Sequence, residues 1–256
     1  MFDLRSLSVN LRRPRWLTIA QNLTSLLAPP VCALCGGPGQ WQQESWGIDL
    51  CAHCEAACPR ATAACPRCAE PLPCGRCEIS PPPFDATLAL FRYEDPVDQM
   101  ITGLKFQGEL GFGRVLGTLL AQALRARRSP LPQALVPMPL HLARLRERGF
   151  NQCEVIAAQV ARRLGMPMDT RLLYRSRSTQ AQSGLTATAR IHNLHNAFAV
   201  REGRVPPAHV ALLDDVMTTG STAAAAATVL KAAGCQQVQI WACARAHRLD
   251  AADGRA

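Results

Sequence analysis

The run Val210-Ala-Leu-Leu-Asp-Asp-Val-Met-Thr-Thr-Gly-Ser-Thr222 sets two carboxylates, Asp214 and Asp215, just ahead of a glycine among four hydroxyl residues. Carboxylates repel phosphate but accept hydrogen bonds from paired sugar hydroxyls. Thr218, Thr219, Gly220, Ser221 and Thr222 precede an alanine-rich segment with strong helix propensity,. Their backbone N–H groups therefore fall at a helix N-terminus, where unpaired donors and the helix dipole attract phosphate. An ordinary strand-to-helix turn needs a cap but no acidic pair, so the conjunction points to a pocket for a phosphorylated ribose.

A second chemistry lies nearer the N-terminus. Cys32-x-x-Cys35, Cys51-x-x-Cys54, Cys65-x-x-Cys68 and Cys74-x-x-Cys77 are four CxxC pairs within 46 residues. A tight turn can place both thiolates of such a pair on one ion, and two turns complete a tetrahedral site. Two structural zinc ions are expected, with metal supplying much of the folding free energy of a segment poor in apolar residues. Spacing leaves open whether the pairs combine in order or interleave. Cys58 is spare, while Cys153, Cys235 and Cys243 lie in apolar contexts typical of core thiols,.

The 256 residues suffice for one sizeable domain and a smaller one,. The apolar stretch after Arg15 is broken by polar residues and ends at Pro29-Pro30, which argues against a secretory signal,. No run reaches the roughly 18 apolar residues of a spanning helix. A cytoplasmic protein is expected, with the inner face of the cytoplasmic membrane as a second option. The formal charge is +9, and residues 85–256 alone hold 21 Arg or Lys against 13 Asp or Glu. An arginine-rich surface suits phosphates of a small ligand or of a nucleic-acid backbone; it is also compatible with an inert basic face.

The elements that must position these groups follow from periodicity. Strands are expected at 87–93, 134–137, 198–200, 210–213 and 237–244, and helices at 97–104, 112–128, from Asn151 to near Gly165, and from Ala223 to near Gly234. Strands alternating with helices imply a parallel sheet. Pro81–Pro83 marks a stiff boundary,. The expected organisation is an amphipathic helix within 1–28, which could dock on protein or lie on a membrane, a double zinc ribbon over 29–80, an α/β domain over 84–247, and a polar tail over 248–256.

Phe84-Asp85, Leu104-Lys-Phe-x-Gly108, Val136-Pro-Met-Pro-Leu140, Arg144-Leu-Arg-Glu-Arg-Gly-Phe-Asn-Gln152, Gln182-Ser-Gly-Leu185, Ala197-Phe198 and the Asp214–Asp215 run together resemble the ComF family. The resemblance spans about residues 28–246. It implies a type I phosphoribosyltransferase-like α/β fold, a parallel sheet flanked by helices and preceded by a small cysteine-rich zinc-ribbon module. It further implies that Asp214 and Asp215 meet the ribose hydroxyls of phosphoribosyl pyrophosphate, directly or with Mg²⁺, and that residues 218–222 hold the 5′-phosphate. Pro137, Met138 and Pro139 would then form the pyrophosphate loop, with Arg144, Arg146, Arg148 and Lys105 as further phosphate-binding cations. Residues 176–193 would supply a mobile loop over the site.

Family members are associated with natural competence, so single-stranded DNA and DNA-uptake proteins are the implied partners. No general base stands beside the ribose motif, and no base-recognition hood follows it. Three readings stay open: a phosphoribosyl-binding competence factor, an active phosphoribosyltransferase of nucleotide or nucleobase salvage, and a scaffold for the uptake machinery.

Overall fold

The computed structural model describes residues 29–41, 47–176 and 197–246. The expected N-terminal helix, nearly all of the expected mobile loop and the polar tail lie outside the described residues. In chain order the elements are α1 (Ala52–Ala57), α2 (Arg76–Ile79), β1 (Ala86–Arg92), α3 (Val97–Thr102), a π-helical turn (Gly103–Gln107), α4 (Leu110–Ala126), β2 (Ala134–Pro137), α5 (Leu142–Arg148), α6 (Gln152–Leu164), β3 (Leu173–Arg175), β4 (Phe198–Val200), β5 (His209–Met217), α7 (Ser221–Ala232) and β6 (Gln237–Arg245).

Four strands form a parallel sheet in the order β1-β6-β5-β2, and β3 and β4 pair antiparallel beside it. This is the expected α/β arrangement, a parallel sheet flanked by helices. Its centre is apolar because β5 and β6 are covered on both faces: Val210–Leu213, Val238 and Ile240 have no exposed surface,. Strand β5 runs past its apolar part to Met217, since Asp214 and Val216 continue the ladder opposite Ala242 and Ala244. The acidic pair thus sits within the last turns of a rigid strand, not in the loop that follows it.

The chain divides into two compact units, Met1–Glu55 and Ala56–Ala256. The Cys32–Cys54 cluster belongs to the first. The Cys65–Cys77 cluster belongs to the second, together with the sheet, whereas composition groups it with the first. The physical reason is visible at β1, which is an edge strand. Ala61 N–H donates to the Leu90 carbonyl at 3.1 Å, Arg92 N–H to Pro59 at 2.8 Å and Thr87 N–H to Pro66 at 2.9 Å. The cysteine segment satisfies backbone groups that would otherwise leave an open sheet edge.

Helices α4 and α6 approach so closely that Gly117 has no space for a side chain. A Cβ there would lie 2.8 Å from the Ile156 carbonyl and 2.8 Å from Gln159 Cβ. Beside it, the buried Gln159 amide donates to Thr118 Oγ1 at 2.7 Å. The N-terminus of α6 is fixed by Asn151, whose side chain caps Cys153 N–H at 3.0 Å and donates to the Met138 carbonyl at 3.1 Å,. That cap places Gln152 and Cys153 against the end of β5. Gly117→Ala should overpack the α4–α6 contact and cost about 1–3 kcal/mol of stability, measured by urea unfolding; a neutral substitution would show that the helices separate freely.

Candidate functional site

At the end of β5 the two carboxylates meet one thiol. Cys153 Sγ lies 3.6 Å from Asp214 Oδ1 and 3.8 Å from Asp215 Oδ1. Asp214 also turns back to accept from the Asp215 N–H at 3.0 Å. Lys105 Nζ sits 2.6 Å from Asp215 Oδ2, and the Gln152 amide approaches its other oxygen at 3.4 Å. The structure thus gives Lys105, expected beside pyrophosphate, to Asp215.

Its reach depends on the π-helical turn, which follows α3 directly and closes on Gly108 in the left-handed region. Such turns insert one residue into a helix and re-aim its side chains. Periodicity predicted a short helix here and could not reveal the turn.

The two carboxyls are driven apart in acidity. Burial pushes Asp215 up, but the Lys105 charge and hydrogen bond, with the Gln152 amide, more than reverse this and hold it below the ordinary carboxylate value,. Burial and then the neighbouring Asp215 charge push Asp214 up to about 7. Burial opposes the Lys105 charge, yet Asp215 keeps its ammonium firmly protonated. One carboxylate is therefore held in its ionised form by its cation, and the other is poised near neutrality to accept or release a proton.

Beyond β5 the chain turns at Gly220, whose φ of +76° is left-handed and whose added Cβ would lie 2.8 Å from Met217 Cε,. Thr219 Oγ1 lies 2.8 Å from Ser221 Oγ and accepts from Ser221 N–H at 3.3 Å. This turn opens α7, so residues 218–222 have the helix-start geometry expected of an oxyanion cradle,.

Two arginines that sequence reasoning missed hold the carbonyls leading into this turn, one from the second cysteine cluster and one from the end of β6. Arg76, inside the Cys74–Cys77 turn, donates to the Thr219 carbonyl at 3.3 Å. The fully buried Arg245 donates to the Met217 carbonyl at 2.8 Å and pairs with Glu70. Glu70 also lies 4.0 Å from Arg76. The CxxC pattern around Arg76 specifies only its thiols, Arg245 belongs to no recognisable motif, and their shared partner is apparent only in three dimensions.

On the other side, Met138 N–H donates to the Leu213 carbonyl at 2.8 Å, which sets the Pro137–Pro139 turn beside β5. Pro137 and Met138 are buried and Pro139 is half-buried. Helix α5 follows, with Arg144 and Arg146 exposed and Arg148 half-buried. A cleft of about 490 Å³ opens there, lined by Lys105, Phe106, Arg144, Glu147, Arg148 and Phe150 among others. Arg146 is not among its lining residues. Burial, and then the charge of Arg144, lower the pKa of Arg175 at the end of β3, so cationic groups crowd this rim.

The cysteines combine in sequence order: Cys32, Cys35, Cys51 and Cys54 form one cluster, and Cys65, Cys68, Cys74 and Cys77 another, each with all thiols within 4.8 Å. Sulfur separations of 3.8 Å for Cys35–Cys51, 3.9 Å for Cys65–Cys77 and 3.4 Å for Cys68–Cys74 are far too long for disulfides,. They match the roughly 3.8 Å edge of a tetrahedron of thiolates at zinc–sulfur bond length. Burial opposes ionisation of Cys32, yet backbone N–H groups of Cys51, Cys35 and Leu34 outweigh it and bring the thiol to about 6. Cys65 is brought to about 7 in the same way by the N–H groups of Cys68 and Arg67. Both sites fit zinc.

Two measurements check this geometry. The native protein should hold two zinc ions per chain, and Cys74→Ser should lose one while raising amide exchange at Thr218–Thr222; unchanged exchange would show that the Arg76 and Arg245 contacts do not hold the loop. Asp214, raised from 3.8 to about 7, favours the folded state fully below 3.8 and loses that contribution as pH climbs toward 7,. Urea unfolding should therefore show Asp214→Asn gaining stability relative to wild type between pH 4 and pH 8, and a pH-independent difference would contradict the raised value.

No protein-family model matches the chain. The DNA utilization protein YhgH of Salmonella typhi is 38% identical over 229 residues, covering 86% of this chain and 99% of its own. Competence protein F of Haemophilus influenzae is 37% identical over 179 residues, 68% of this chain and 78% of its own. Among solved structures, adenine phosphoribosyltransferase from Leishmania tarentolae aligns over 56% of this chain and 74% of its own, with 15% identity and a TM-score of 0.36. Identity of this level over nearly the full length of a relative shows that the chain belongs to the ComF family, which includes Competence protein F and DNA utilization protein YhgH.

Proposed function

We propose that the protein binds phosphoribosyl pyrophosphate, or a phosphoribosyl group, at the end of β5 and acts in the use of imported single-stranded DNA on the cytoplasmic side during natural competence. The observation that carries the ligand assignment is the Asp214–Asp215 pair on β5 followed directly by the left-handed Gly220 turn into α7. Carboxylates for sugar hydroxyls and helix-start N–H groups for a phosphate stand in the order that a ribose 5-phosphate presents them. Membership among competence and DNA-utilization proteins supports the DNA role. No helix among the described residues is long and apolar enough to cross a membrane.

Asp214 and Asp215 are oxygen donors suited to Mg²⁺ accompanying the pyrophosphate. When bound, that ion would neutralise ligand oxygens. The protein's own contribution is orientation: Thr219 and Ser221 fix the phosphate end, while Arg144 and Arg148 supply charge at the opposite cleft. Calorimetric titration of phosphoribosyl pyrophosphate with Mg²⁺ tests the assignment. Asp214→Asn combined with Ser221→Ala should weaken binding by roughly tenfold or more while zinc content holds and urea unfolding remains a single cooperative transition. Wild-type affinity in that variant would overturn the assignment.

A further inference from the structure

The cleft beside the acidic pair contains an aromatic residue that the phosphoribosyl site does not use. Phe106, next to Lys105 on the π-helical turn, is 73% exposed, an unusual position for so large an apolar ring. The Arg148 guanidinium lies over it, 5.4 Å from the ring centroid,. That contact occupies one part of the ring while the high exposure leaves much of it open to solvent. Phe150 stands half-buried in the same lining.

With Lys105 neutralised by Asp215, Arg144 and Arg148 still outnumber Glu147, so the cleft attracts a polyanion, while Glu147 offers an acceptor to an exocyclic amino group,. A stacking surface inside a cationic groove is the chemistry that holds single-stranded nucleic acid, because every unpaired base has a π-face and every link a phosphate. The cleft is also wired to the acidic pair. Arg148 donates to Gln152 Oε1 at 2.5 Å, Gln152 reaches Asp215, and Asp215 returns to Lys105, the neighbour of Phe106.

We propose that Phe106, backed by Arg148, is a seat for an unpaired base of single-stranded DNA, with Arg144 neutralising a flanking phosphate. This rests on the DNA-handling role proposed above and assigns its base contact to one cleft. Phe106 carries no charge, so its contribution is separable from the electrostatic one: it adds affinity for bases without altering the dependence on salt.

The full-length zinc-loaded protein is titrated with an oligodeoxythymidylate and with an abasic oligomer of the same length and charge. Wild type should favour the base-bearing strand. Phe106→Ala should weaken that strand by roughly tenfold, leave the abasic strand and the salt slope unchanged, and retain phosphoribosyl pyrophosphate binding. Phe106→Tyr should restore the preference, which a variant acting only through the fold would not do. A wild type that binds both oligomers equally, or Phe106→Ala binding the thymidylate as wild type does, would overturn the seat and leave DNA handling intact. Binding of neither strand by wild type would remove the DNA role and the seat with it. Complete competition by thymidine monophosphate at micromolar concentration would assign the cleft to free nucleotides instead of a strand.

Discussion

Two carboxylates at the end of a buried strand cannot both stay ionised without a cation, and the solution of that problem organises the region. Lys105 supplies the cation, but only because a π-helical turn carries it to Asp215 at 2.6 Å. Gln152 and Cys153 complete the surroundings, and they are held by the Asn151 cap on α6. The cap in turn needs α6 seated on α4, where Gly117 permits contact at backbone distance. Charge, helix cap and helix packing are consecutive conditions on one pair of side chains.

The parts legible in the sequence were those governed by local rules. Val210–Leu213, Ala134–Pro137 and Phe198–Val200 announced themselves by apolar, β-rich composition, and Asn151 and Gly165 marked the ends of α6 by capping chemistry,. The four CxxC pairs fixed the metal-ligating residues, while their partnership in two sequential sites required coordinates. What stayed hidden depends on contacts between distant segments. A π-turn has no compositional signature, and β3, with only three residues, begins at Leu173 and runs into the polar, weakly periodic sequence that starts at Tyr174. Likewise, nothing in Cys74-Gly-Arg-Cys77 shows that the arginine between the thiols meets a carbonyl 143 residues later.

The turn from β5 into α7 illustrates how this fold divides labour. Its local shape comes from Gly220, Thr219 and Ser221, residues within the motif itself. Its carbonyls, by contrast, face donors from elsewhere: Arg245 at Met217 and Arg76 at Thr219. Ser221 N–H already donates to Thr219 Oγ1 within the motif, so the carbonyls at this half-buried position draw their donors from outside it,. The arginines also add positive potential behind the cradle.

The second cysteine cluster therefore has a meaning for how the protein can be dissected. Pro81–Pro83 has the composition of a hinge, and a cut there would isolate the α/β sheet and its helices. Such a fragment would keep Arg245, with 1% of its surface exposed, but lose Glu70, the carboxylate that neutralises it. It would also uncover the whole edge of β1. The separable piece by this logic starts upstream of Cys58, and the sheet with its second metal knuckle is the smallest unit that inheritance or gene fusion could move intact.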